Sequence, residues 1–144
     1  VNRFLEIIRP KYLFLGLKDF QQLTLIKKHI LKKKIHTKII SCKTVREASG
    51  IAFSSRNFNL NKNQMKIAKN VYNYLIRIKK RTKKNYKLFN SLLFKKDLIK
   101  LGVNKIDYLE IINLKSLSRP RKFKESFNIF IAYYLNKVRL IDNI

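Results

Sequence analysis

Apolar positions change their spacing several times along the chain, and each change marks an element. Phe4, Leu5, Ile7 and Ile8 recur at helical spacing as far as Arg9-Pro10, where proline disfavours helical geometry in the residue before it. Tyr12-Leu13-Phe14-Leu15 is a continuous apolar run ended by Gly16, which predicts a short buried strand. From Asp19 the period is helical again, with Phe20, Leu23, Ile26 and Ile30 on one face and Asp19 with Gln22 as an N-cap pair. Ile35 to Cys42 is β-branched and predicts a second strand. Strand, helix and strand in that order form the βαβ unit of a parallel sheet, whose ligands lie beyond the C-terminal strand ends.

Residues 43–59 keep no period and hold the polar stretch Ser54-Ser55-Arg56-Asn57, the composition of a working loop. A helix is predicted from Asn61. Asn61 caps it, Gln64 completes a capping box, Leu60 can staple against Met65, and Ala68, Val71, Leu75 and Ile78 form the buried stripe. A second helix is predicted over 88–101, stopped by Gly102. Ile106 to Ile112, Phe127 to Tyr134 and Val138 to Ile141 read as strands, with a basic turn at Arg119-Pro120-Arg121. The second half is thus a small α+β unit, and a boundary is expected between residues 1–45 and 46–144.

The 144 residues carry 34 Lys and Arg against 8 Asp and Glu, a formal charge of +26. Such a charge points to nucleic acid or another anionic partner. The same count weakens that reading, because 25 lysines, 14 asparagines and 19 isoleucines make up 58 of the 144 residues and the lysines are scattered. An A/T-rich coding sequence produces this bias without a binding surface. The glycines are only Gly16, Gly50 and Gly102, so there is no G-x-x-G loop, and no aromatic RNP pattern is present. One cysteine, Cys42, excludes an internal disulfide framework, and His29, His36 and Cys42 are too few soft ligands for structural zinc. With no long apolar run and no signal peptide, a cytoplasmic location is expected. Val1 opens the chain inside an apolar helical pattern, so a truncated N-terminus is expected too.

Two segments stand out from this background: Gly16-Leu17-Lys18-Asp19-Phe20-Gln21-Gln22-Leu23 and Thr44-Val45-Arg46-Glu47-Ala48-Ser49-Gly50-Ile51-Ala52-Phe53-Ser54-Ser55-Arg56-Asn57. With the terminal Arg139-Leu140-Ile141-Asp142-Asn143, in this order and spacing, they resemble the pantothenate synthetases, the pantoate–beta-alanine ligase family. The resemblance covers nearly the whole chain but only the C-terminal half of that family's pattern. The H-x-G-H motif of the other half is absent from these residues.

The resemblance implies an α/β fold: the C-terminal βαβ portion of a Rossmann-like nucleotidyl-transferring ligase domain in residues 1–45, followed by a small α+β lid domain in 46–144. It implies a two-step reaction. ATP and pantoate give pantoyl adenylate and pyrophosphate, and the amine of β-alanine then displaces AMP, with Mg²⁺ as cofactor. It also implies a homodimer for the full-length protein, with no membrane or nucleic-acid partner, and an isolated fragment that is inactive. By resemblance, Gly16, Leu17, Lys18 and Asp19 contact ATP, with Lys18 at the phosphates and Asp19 at the ribose. Val45 and Phe53 meet the nucleotide through backbone groups, Ser54, Ser55 and Arg56 hold the triphosphate, and Gln22 hydrogen-bonds pantoate. No protein metal ligand is implied.

The residues carry part of this chemistry unaided. Charge grows on pyrophosphate as the α-phosphorus is attacked, and fixed cations or N–H and O–H donors are worth most there. Lys18, at a strand end before a helix, can supply such charge, and two hydroxyls beside a planar guanidinium suit phosphate oxygens. Taken singly, Asp19 and Gln22 remain a helix cap, Lys18 a solvated charge and Ser54-Ser55-Arg56 an ordinary loop. A basic RNA-binding protein and an inactive remnant are the competing readings. The chain also departs from the family pattern: Leu17 and Ser49 stand at usually acidic positions, Phe53 replaces a smaller or unbranched apolar residue, and Asn136 stands at a usual glycine.

Overall fold

The computed structural model describes residues 1–121 and 125–144. The chain divides into two compact units, Val1–Val45 and Arg46–Ile144.

In the first unit, helix α1 (Asn2–Ile8) precedes strand β1 (Tyr12–Gly16), a 3-10 turn (Leu17–Asp19), helix α2 (Phe20–Lys32) and strand β2 (Lys38–Cys42). The strands pair in parallel from Tyr12↔Lys38 to Gly16↔Cys42, as the βαβ pattern requires. Leu5, Ile26 and Ile30 form the core of this unit, with Leu13, Leu15, Ile35 and Ile39 packed on it. His29 Nε2 meets Asn2 Oδ1 at 2.8 Å and ties α2 to α1. Cys42 is exposed at the C-terminal end of β2.

Two sequence expectations change here. Asp19 does occupy the N-cap position of α2, but its side chain makes no capping hydrogen bond. The second strand begins at Lys38 rather than Ile35, because the residues before it close the helix. Lys34 adopts φ 53°, its amide donates to Leu31 O, and the Ile35 amide donates to Ile30 O. This is a Schellman closure with lysine in the left-handed position where glycine is usual. Thr37 then donates to Pro10 O at 2.7 Å, so it is anchored outside the ladder.

The second unit contains helices α3 (Lys62–Lys84) and α4 (Ser91–Lys100), followed by strands β3 (Lys105–Asn113), β4 (Phe127–Leu135) and β5 (Val138–Asn143). The strands form an antiparallel meander in the order β3-β4-β5. Ala68, Val71, Leu75 and Ile78 of α3 are buried with Phe94 and Leu98 of α4 and with Leu109, Ile111, Ile129, Ile131, Tyr133, Leu135 and Leu140 of the sheet. The Asn61–Gln64 capping box is present, with both hydrogen bonds at 2.9 Å. The predicted 88–101 helix starts later, at Ser91. Tyr86–Leu88 is a separate 3-10 turn, and Asn90 caps α4 by accepting from the Leu93 amide. At the far end the Val103 amide donates to Leu98 O across Gly102, the stop expected from sequence.

Among the described residues no helix is long and apolar enough to cross a membrane.

Candidate functional site

The first unit brings Gly16, Leu17, Lys18, Asp19 and Gln22 into one continuous feature: the C-terminal end of β1, the 3-10 turn and the first turn of α2. Gly16 has φ −71° and ψ 135°, an ordinary extended conformation, and a Cβ built there would meet nothing within 4 Å. The fold itself therefore does not demand glycine at this strand end. Lys18 and Leu17 are half-buried, whereas Asp19 and Gln22 are exposed. At the other end of this unit Val45 is exposed as well.

The second unit places Phe53, Ser54, Ser55 and Arg56 at the start of a 3-10 helix, Ser55–Asn59, inside what the sequence presents as a loop. Ser54 is its N-cap, and its hydroxyl oxygen accepts from the Arg56 amide at 3.3 Å. Ser55 and Arg56 are exposed, and Arg56 Nη1 lies 3.5 Å from Arg139 O on β5. Two hydroxyls and one guanidinium thus lie within three residues, while the Arg56 and Asn57 amides are taken up by Ser54. This donor set fits an anion with several oxygens.

The chain leading to that turn is folded into a tight loop. Glu47 N donates to Ile51 O at 2.9 Å, Gly50 N donates to Glu47 O at 2.8 Å, and Arg46 bridges to Ala52 in antiparallel fashion. Gly50 has φ 87°, and a Cβ there would come within 2.1 Å of the Tyr72 ring, so both conformation and space require glycine. Asn57 is buried, and its Nδ2 donates to Glu47 Oε1 at 2.7 Å and Ala52 O at 3.2 Å. Ser49 Oγ donates weakly to Glu47 Oε2 and accepts from the Ile51 amide, both at 3.4 Å. A hydroxyl can serve both partners, whereas a carboxylate at this position would face Glu47 as a like charge.

Sequence reasoning gave no role to Arg46. Its Nη1 donates to Asp142 Oδ2 at 2.8 Å and Gly50 O at 2.9 Å, while Nη2 donates to Asp142 Oδ1 at 2.9 Å and Asn143 O at 3.2 Å. The guanidinium carbon also sits 4.9 Å from the centroid of the Tyr72 ring. Burial works against the Arg46 cation, but the hydrogen bonds and charge of Asp142 outweigh it and raise its pKa. The one available signal was the coexistence of the Val45–Gly50 and Arg139–Asn143 segments in the same resemblance.

The family model described as Pantoate-beta-alanine ligase matches residues 1–144. The chain belongs to the pantoate–beta-alanine ligase family. It is 36% identical to the pantothenate synthetase of Flavobacterium psychrophilum, over 100% of this chain and 52% of that protein. It is also 36% identical to a pantothenate synthetase of Clostridium botulinum, over 99% of this chain and 52% of the relative. Among solved ligases of this family, the Thermus thermophilus pantothenate synthetase superposes with a TM-score of 0.80 at 25% identity, covering 99% of this chain and 52% of that one. The Francisella tularensis pantoate-beta-alanine ligase, solved with beta-gamma ATP and beta-alanine, gives a TM-score of 0.75 at 34% identity over 99% of this chain and 46% of its own. The chain spans about half the length of the curated relatives it matches. Its parallel pair and antiparallel meander are the α/β architecture of the matching portion.

Proposed function

We propose that this chain is the C-terminal half of an ATP-dependent pantoate–beta-alanine ligase and supplies part of its nucleotide site. The carrying observation is the Ser54-Ser55-Arg56 turn, held in place by its own loop with Ser55 and Arg56 open to solvent. Residues 1–45 would be the last βαβ portion of a Rossmann-like domain, and 46–144 the lid domain that brings the phosphate-binding turn.

The chemistry follows from charge. A carboxylate oxygen of pantoate attacks the α-phosphorus of ATP, the bond from that phosphorus to the bridging oxygen breaks, and pyrophosphate leaves with the electron pair. The amine of β-alanine then attacks the acyl carbon, AMP departs with the acyl–oxygen bonding pair, and the amine gives up a proton. In the first step negative charge gathers on the leaving phosphates. Lys18 at one strand end, and Ser54, Ser55 and Arg56 on the turn, would donate to that charge. Asp19 would bind the ribose. The exposed Gly16 backbone and the backbone of Leu17, Val45 and Phe53 would line the nucleotide, and the Gln22 amide, able to donate and accept, would hold pantoate. Exchanging the usual acidic residue for Leu17 removes one negative group from the neighbourhood of a polyanion.

Mg²⁺ bound to the nucleotide would neutralise part of the phosphate charge. Among the described residues no three His, Cys, Asp or Glu side chains gather at one point. Lys18, Ser54, Ser55 and Arg56 would grip phosphate oxygens that the ion leaves free.

The test is pantoate-dependent exchange of labelled pyrophosphate into ATP by the full-length protein. Arg56→Ala is expected to cost about 3 kcal/mol of transition-state stabilisation, the loss typical of one preorganised anion donor. Near-normal exchange by that variant would remove the turn from the mechanism, and no pantoate-dependent exchange by the parent would remove the ligase reading. The 144-residue chain on its own lacks H-x-G-H and is expected to show no exchange.

A further inference from the structure

The segment Arg139–Asn143 has no part in the chemistry above, yet it receives the most heavily bonded arginine among the described residues of the second unit. Arg46 spans both carboxylate oxygens of Asp142 and the carbonyls of Asn143 and Gly50 with two nitrogens, at 2.8–3.2 Å. One face of its guanidinium is covered by Tyr72, whose ring also occupies the space beside Gly50. The loop from Arg46 to Ala52 is thereby fastened to β5 and α3 at its base. The 3-10 turn that follows is tied back to this loop by Asn57, through Glu47 and Ala52, and Arg56 Nη1 lies 3.5 Å from Arg139 O on β5.

We infer that Arg46, docked on Asp142, is the positioning residue of the phosphate turn: it sets the backbone of Gly50–Phe53 and so aims Ser54, Ser55 and Arg56 before nucleotide arrives. The inference rests on the reading of that turn as a triphosphate site. Donors stabilise a transition state most when no reorganisation is left to do at the moment of reaction, so the holder of the loop acts on rate without touching substrate. Four hydrogen bonds from one planar fork cannot be reproduced by an ammonium, which presents its donors at a single point. Lysine is the commoner cation in this chain, 25 against 9 arginines, but it cannot replace the fork here.

The experiment compares Arg46→Lys, Asp142→Asn, Arg56→Ala and Tyr74→Phe in the full-length protein by pyrophosphate exchange and by hydrogen exchange of the backbone. Tyr74→Phe removes a hydrogen bond to Asp97 between α3 and α4 and serves as the stability control. Arg46→Lys is expected to lower kcat at least tenfold with the pantoate KM unchanged. Amides 50–57 should exchange faster, while those of the α3 stripe should stay as they are. Asp142→Asn is expected to show the same pattern more weakly, and the double variant to be no worse than Arg46→Lys alone. Asp142→Asn also keeps the inference testable if Arg46→Lys does not fold.

Arg46→Lys with kcat within twofold of the parent, additive losses in the double variant, or an equal kcat loss in Tyr74→Phe would overturn the inference. If Arg56→Ala is crippled while Arg46→Lys is not, only the positioning role fails. If Arg56→Ala is unaffected, the turn's assignment itself fails.

Discussion

Asp107 shows how an exposed carboxylate can be held ionised by its neighbours. Arg139 Nε donates to Asp107 Oδ2 at 2.8 Å, and Lys105 stands 3.6 Å from Oδ1. The Arg139 hydrogen bond, ahead of the opposing desolvation and the Lys105 charge, moves the Asp107 pKa below the ordinary carboxylate value. A depressed folded pKa contributes stability that is complete above the unfolded carboxylate range and is lost as pH falls through the folded value. A carbon-detected NMR titration is expected to find the Asp107 midpoint below the ordinary carboxylate value, and Arg139→Gln is expected to raise it. A midpoint unmoved by that substitution would leave the ion pair without thermodynamic weight. The same scale explains why Arg46 escaped sequence reasoning. Its partner lies 96 residues away, and a long-range ion pair leaves no periodicity and no cap signature. Lys18, Ser54, Ser55 and Arg56 became candidates only through their joint order with the resemblance, since each is a common surface residue.

At the scale of elements, left-handed positions separate what was legible from what was not. Gly102 announced the end of α4 because glycine there is a strong local signal. Lys34 announced nothing, and so the strand after α2 read three residues too long. In the β4–β5 turn Asn136 has φ 52°, and its amide donates to Asn104 Oδ1 at 2.7 Å. Asparagine is among the few non-glycine residues that visit this region readily, which accounts for the departure from the usual glycine. Asn136→Gly is expected to stay within about 0.5 kcal/mol of the parent, while Asn136→Val should cost about 1–2 kcal/mol in urea unfolding, because a β-branched residue is poorly tolerated there. Equal stability of the two would mean that the turn readjusts. The α3 stripe and its capping box were fully readable, since burial every three or four residues and a cap three residues from its partner are both local patterns.

For the whole chain, charge and apolar exposure act in opposite directions. The first unit exposes Phe4, Ile7, Ile8, Phe14 and Leu31, with Ile7 at 72% and Leu31 at 78%. Its two-stranded parallel sheet belongs to a class normally covered on both faces. A net charge of +26 keeps copies apart at low ionic strength. Salt shortens the screening length from about 10 Å at 0.1 M to about 3 Å at 1 M, so association through the apolar surface should grow with added salt. Any binding of RNA through phosphate contacts should fall steeply over the same range. Sedimentation velocity of the 144-residue chain is expected to show larger species at high salt. A monomer at every salt concentration would mean that the exposed apolar residues do not drive association.

The exposed thiol at the end of β2 gives the molecule an experimental address. Because Cys42 is the sole cysteine of these 144 residues, a maleimide dye marks the first unit stoichiometrically, with no other native thiol in them to engineer away. A second dye at exposed Lys137, in the β4–β5 turn of the other unit, would complete a donor–acceptor pair. Energy transfer measured with and without ATP would then test the proposed nucleotide site, a signal unmoved by ATP counting against it.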